Sequence, residues 1–155
     1  MMRAKLAGAF AALVVSLAGA LSAGEVEEWH EPKRGTEERK ALMNAFRPIA
    51  EWQLGEEVQF VVEELRVFED TAFAMLDAQR RDGSDIDLDD TPLFANGILQ
   101  YFDMDGSSYE VFYQKSGGAW VPVLYQIGAT EAWWIDGRIC EAFYIVIEEW
   151  CVGVY

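Results

Sequence analysis

A single histidine, two cysteines and four prolines are spread over 155 residues, and only 12 Lys/Arg stand against 27 Asp/Glu. Each scarcity closes off a chemistry. A Ser–His or Cys–His nucleophile needs an imidazole beside it, and the one histidine, His30, lies in a charged stretch near the start. A zinc site needs three or four nitrogen and sulfur ligands, which His30 and two ill-spaced cysteines do not supply. Phosphate loops and dinucleotide fingerprints are missing, so no cofactor is expected. The net charge of −15 repels nucleic acid and anionic lipid and favours cationic partners.

Long hydrophobic runs are equally few. "MMRAKLAGAFAALVVSLAGALSAGEV" starts with Arg3 and Lys5, continues as an apolar run from Leu6 to Leu17, and ends in small residues. That is the pattern of a secretory signal peptide, with cleavage expected after Ala23 and Ala20 as the alternative. The uncharged stretch is rich in Ala and Gly and falls short of the ~20 strongly apolar residues of a membrane span. The first cysteine is Cys140, so none stands at the cleavage point to take a lipid. Without Arg3 and Lys5, ten bases face 27 acids, a charge of −17. The expected organisation is a signal peptide over 1–23, a flexible lead-in over 24–35, an α+β domain over 36–134 and a C-terminal segment of undecided structure over 135–155. The protein is expected in the periplasm or secreted, with no membrane association after cleavage.

What is present reads as one helix followed by a sheet. Thr36 can cap a helix whose Leu42, Ala45, Phe46 and Ile49 form one apolar stripe. Gly55 is a natural stop. The pattern predicts a helix over 37–54, bent near Arg47–Pro48 or split in two there, since an internal proline removes a hydrogen bond. "EVQFVVEELRVF" suits a strand with a bulge or with both faces partly covered. Glu69-Asp70 makes a turn. In the next run Ala72 and Ala74 alternate with Phe73 and Met75, so the helix is expected on the alanine face and the larger residues on the other. "RRDGSDIDLDDTP" reads as a polar loop. "GILQYF", "YEVFYQ" and "AWVPVLYQI" are expected strands, joined through "DMDGSS" and "KSGG" turns. Pro122 marks the last as an edge strand or bulged. The tail favours a short helix near Thr130–Ile135 followed by strand. One kinked N-terminal helix on a curved antiparallel sheet of four or more strands is a segregated α+β domain.

The cysteines leave alternatives open. Two in an exported chain suggest a disulfide. Yet no Gly or Pro separates Cys140 from Cys151. One helix would set them ~16 Å apart, one strand further still, and a bridge needs Cα atoms within ~7 Å. An intrachain bridge therefore requires an irregular turn; free thiols and an intermolecular bridge are the alternatives.

The runs "RGTEERKALMNAFRP", "FVVEELRV", "AFAMLDAQR", "GGAWV" and "IGATEAWW" resemble a family of small exported bacterial proteins of unknown function, over about residues 32–134. The resemblance implies a cystatin-like domain akin to nuclear-transport-factor-2-like cones, with the helix lying in a half-open sheet. Thr71 stands where that pattern often has Trp, Ala129-Thr130-Glu131 replaces Pro-Thr-Asp, and the tail after Trp134 has no counterpart.

Three functional readings follow. Tyr109, Val111 and Tyr113 share one strand face, and Val121, Val123, Tyr125 and Ile127 that of the neighbour. If they line the cone, they form an apolar pocket for a small ligand, with Tyr109, Val111, Tyr113, Val123 and Tyr125 as its contacts. Alternatively the helix fills the cone, and the edge strand and aromatic tail contact a protein partner or a second copy. A cone-fold enzyme would instead pair a carboxylate such as Asp103 with Tyr101, Tyr109, Tyr113 or Tyr125. The non-enzymatic binding module is the favoured reading. The acidic loop of Asp82, Asp85, Asp87, Asp89 and Asp90 lacks the spacing of a helix–loop–helix calcium site, as does "DMDGSS"; no metal site is expected.

Overall fold

The computed structural model describes residues 28–97 and 104–154. Helix α1 (Glu37–Leu54) is followed by β1 (Val58–Phe68), β2 (Thr71–Arg80), the short helix α2 (Pro92–Ala95), β3 (Ser108–Ser116), β4 (Ala119–Ile127) and helix α3 (Gly137–Ile147). The four strands form one antiparallel sheet in the order β1-β2-β3-β4. The fold is α+β, as the sequence pattern predicts.

Local chemistry sets the elements. Thr36 Oγ1 accepts from the Arg39 N–H at the start of α1, and Glu37 and Glu38 occupy its first turn. The helix runs through Pro48 as a single element rather than as two pieces. Pro48 and Asn44, whose carbonyl loses its donor, are both exposed, so water can take the vacant bond. Gly117 and Gly118, both at positive φ, close the β3–β4 hairpin in two residues, as mirror-image turns require. Gly128 is fixed differently: a Cβ there would lie 2.8 Å from the Gly106 carbonyl oxygen.

Both faces of the sheet are buried. On one, Leu42, Phe46, Ala50 and Leu54 of α1 meet Ala72, Ala74, Leu65, Val67 and the β3 tyrosines. The alanine face of β2 thus lies under the helix as expected. α1 comes closest to β1 and β4, the outer strands, so the sheet curls around it. Bulges in β1 between Val62 and Glu64, and between β3 and β4 at Phe112/Tyr113, add twist. On the other face, Phe73 and Phe112 pack against Trp134, Cys140, Phe143, Val146 and Ile147.

That second layer corrects the expectation for the tail. Residues 130–135 form turns, and α3 follows instead of a strand. The strand pattern of β2 and β3 leaves an apolar face that must be covered, and Cys140, Phe143, Val146 and Ile147 supply a helical stripe for it. The backbone leaves helical geometry at Phe143 and again at Ile147. These two breaks curl the chain back and bring Cys140 and Cys151 to a Cα separation of 5.6 Å, joined as a disulfide. They are the irregular turn that the spacing demands.

The lead-in is also tied down where it is described. His30 exchanges backbone hydrogen bonds with Val67 at the outer edge of β1. Trp29 packs on the α3 side of the sheet. Residues 29–30 are therefore not the loose leader that their charge suggests. Arg66 joins these parts. Its guanidinium lies 4.6 Å from the Trp29 ring centroid and 4.4 Å from that of Trp150. It donates to Glu64, Glu149 and the Val146 carbonyl. Burial alone would lower the Arg66 pKa, but the hydrogen bonds it donates to Glu149 and Glu64, and the charge of those carboxylates, raise it.

The segment expected as a polar loop is partly an inward plug. Asp87 and Thr91 cap successive short helical turns, and Ile86, Thr91 and Leu93 are buried. The expected strand "GILQYF" lies outside the described residues beyond Gly97.

Replacing both Cys140 and Cys151 by Ser should lower the unfolding free energy by about 3 kcal/mol, the loop-closure scale for a ring of this length. Urea unfolding measures it. A loss below about 1 kcal/mol, or alkylation of both thiols in the unreduced wild type, would contradict the bridge as a structural element.

Candidate binding surface

Among the described residues, the face beneath α1 is filled where the strand pattern suggests a pocket. Tyr109, Val111 and Tyr113 have no exposed surface. The Phe46 ring sits 4.9 Å from that of Tyr109 and 5.4 Å from that of Tyr125. Tyr109 donates to Gln53 at 2.9 Å. Burial raises the pKa of both Tyr109 and Tyr113, so neither is a poised acid. The Tyr113 hydroxyl has no hydrogen-bond partner among the described residues. These three residues are core; Val123 and Tyr125, the other two expected ligand contacts, are 40% exposed on β4. Asp103 and Tyr101 of the enzyme reading lie outside the described residues.

The bulge also changes which side chains share a face. Val111 pairs with Tyr125, but Tyr113 pairs with Pro122, so Val123 is the extra residue. Val121, opposite Gln114, falls on the α3 side rather than beside Tyr125. The hairpin turn makes Ser116/Ala119 a bonded pair, and alternation then points the nitrogen of Pro122 away from β3. The edge placement read from Pro122 holds for this reason.

What the edge exposes is apolar. Val121, Val123, Leu124 and Tyr125 keep 38–40% of their surface. No residue from 119 to 127 carries a charge, although a quarter of the chain is charged. Natural edge strands are usually blunted by charge, especially Lys; this one has only a proline and a bulge. Next to it, on the α3 side, runs a groove of about 460 Å³. Leu124, Trp133, Ile139, Ala142 and Phe143 line it, together with Asp136 and Arg138.

Glu110 completes this surface. Its carboxylate accepts from the Trp133 indole N–H at 3.2 Å. It is half-buried, and among the described residues no Lys, Arg or His forms an ion pair with it. Desolvation raises its pKa, only partly opposed by the Trp133 hydrogen bond. Sequence reading identified Tyr125 and Val123 but missed Glu110, Trp133, Ile139 and Phe143. The uncharged run from Ala119 to Ile127 was the available signal; the groove depends on α3, whose docking no local pattern encodes.

The acidic loop behaves as turn chemistry. Asp82 accepts from the Ser84 N–H and hydroxyl, and Asp87 from the Asp89 N–H. Among the described residues no group of His, Cys, Asp or Glu is arranged to hold a metal ion, and no helix is long and apolar enough to cross a membrane. Comparison of the chain with protein-family models, curated proteins and solved structures gives no match.

Glu110 gives a pH-dependent prediction. A carboxyl whose folded pKa is raised above its unfolded value stabilises the fold at low pH, and that contribution is lost as pH rises through the folded pKa. Glu110→Gln should therefore raise Tm at pH 7 by about 2 °C or more, a scale discounted for partial exposure. The gain should vanish below about pH 4. Calorimetry at the two pH values decides; a lower Tm at pH 7 would contradict an uncompensated carboxylate.

Proposed function

We propose that this chain is an exported, non-enzymatic binding module for a protein partner, engaged at β4 and the groove between β4 and α3. The observation that carries the reading is the exposed, uncharged apolar edge beside that groove. An interaction patch differs from ordinary surface in being contiguous and apolar with a polar rim. The filled helix face turns the reading away from a small apolar ligand under α1, because Tyr109, Val111 and Tyr113 have no surface to offer. Export rests on the signal-like start, and a disulfide joining Cys140 to Cys151 suits an oxidising compartment. Kinship with small exported bacterial proteins of cystatin-like form rests on the motifs of residues 32–134. The helix lying across the concave face of the sheet supports it.

The test is photo-crosslinking in the exporting cell. A benzophenone side chain at Leu124 should give a discrete protein adduct, whereas one at exposed Arg34 should not. Ile139→Asp, which places a charge in the groove, should reduce the Leu124 adduct at least tenfold. No protein adduct at Leu124, or equal labelling from both positions, would contradict the assignment.

A further inference from the structure

We infer that the partner docks by adding an extended strand along Val123–Gln126 and places a Lys or Arg side chain over Trp133 against Glu110. This deepens the binding-module reading and rests on it.

The register of β4 leaves backbone groups free for such a strand. The Gly128 N–H donates to the Ser108 carbonyl at 2.7 Å. Alternation along the antiparallel ladder makes Glu110/Gln126 and Phe112/Leu124 the next bonded pairs. The N–H and C=O of Tyr125, opposite Val111, consequently point away from β3. Residues 123–126 are all exposed, and among the described residues β4 is the last strand of the sheet. Beyond them Pro122 has no N–H to give, so the ladder open to a partner stops there. An added strand satisfies the outward groups of Tyr125 by main-chain hydrogen bonds, the general basis of strand addition.

The charge beside β4 selects the partner's chemistry. Glu110 and Gln126 are opposite each other on the α3 side of the sheet. A strand added outside β4 would lie roughly 10 Å from β3, two inter-strand spacings. A Lys or Arg reaching across Gln126 and a Glu reaching back span that gap. The arriving cation would meet the half-buried carboxylate and the face of Trp133, the combination that favours ion pairing and cation–π contact together. Asp136 lines the groove but is paired with Arg138 there, which leaves Glu110 as the carboxylate open to a cation, and the chain as a whole, at −15, draws a basic segment. A second copy brings no charge on its own Val123–Gln126 to meet Glu110, which makes self-pairing the poorer fit.

The experiment uses the same Leu124 crosslink in the exported protein. Tyr125→Ala removes the ring and keeps the outward N–H; Tyr125→Pro removes both. Adduct yield should fall roughly tenfold further in the Pro variant than in the Ala variant. Glu110→Gln should cut the yield roughly tenfold while leaving the protein folded, with Tm as the check. Mass spectrometry of the adduct should place a Lys or Arg of the partner within a few residues of the crosslink. Equal yields from the two Tyr125 variants would overturn strand addition, and an unchanged yield in Glu110→Gln would overturn the cationic partner. In either case an adduct in the parent leaves protein binding standing. An adduct joining two copies of this chain would also overturn the inference.

Discussion

Phe73 and Ala74 are neighbours in β2 and both are completely buried. Because side chains alternate across a strand, this requires apolar cover on both faces of the sheet. The rest of the structure follows. Ala72, Ala74 and Ala78 leave room for Leu42 and Phe46 of α1 on one side. Phe73 and Phe112 bring in the aromatic tail on the other, in a cluster with ring centroids 4.8 Å apart between the two phenylalanines and 5.7 Å from Phe73 to Trp134. With both faces occupied among the described residues, what the sheet leaves open is its edges. One edge carries the His30 bridge to Val67. The other is β4.

Arg66 holds the second layer in register. It sits in β1, yet its partners come from the lead-in, from its own strand, from the last turn of α3 and from the chain after it. A guanidinium stacked between two indoles and paired with two carboxylates is well matched to this role, since its planar fork and weak hydration suit burial better than an ammonium would. The breaks at Phe143 and Ile147 set Glu149 and Trp150 within its reach, and the Cys140–Cys151 bridge closes the same curl. The disulfide and the arginine therefore constrain the same short segment, one through covalent closure and the other through electrostatics and stacking. The position of α3, and with it the groove beside β4, depends on both.

Most of the fold was legible because it is encoded locally. The cap at Thr36, the turns at Glu69-Asp70 and Gly117-Gly118, the alanine face of β2 and the edge character signalled by Pro122 are each properties of a few adjacent residues. The parts that were not legible are set by distant contacts. His30 looks solvated until Val67 is seen to need a partner. Residues 139–151 carry both a helical stripe and strand-forming residues, and only the uncovered Phe73–Phe112 face decides between them. Val121 changes face because one inserted residue, Val123, reverses the alternation, and a one-residue slip has no sequence mark beyond the proline. The candidate surface was half legible for the same reason: its strand was visible, its groove was not.

A binding role for β4 requires that it present free backbone groups while both faces of the sheet are covered, as they are among the described residues. Amide hydrogen exchange of the isolated protein, resolved residue by residue by NMR, tests this most directly. The amides of Leu124 and Gln126, bonded to β3, should be strongly protected, and that of Tyr125 between them should exchange quickly. Protection of Tyr125 equal to that of its two neighbours would mean that the edge is already covered, and would contradict a binding role for it.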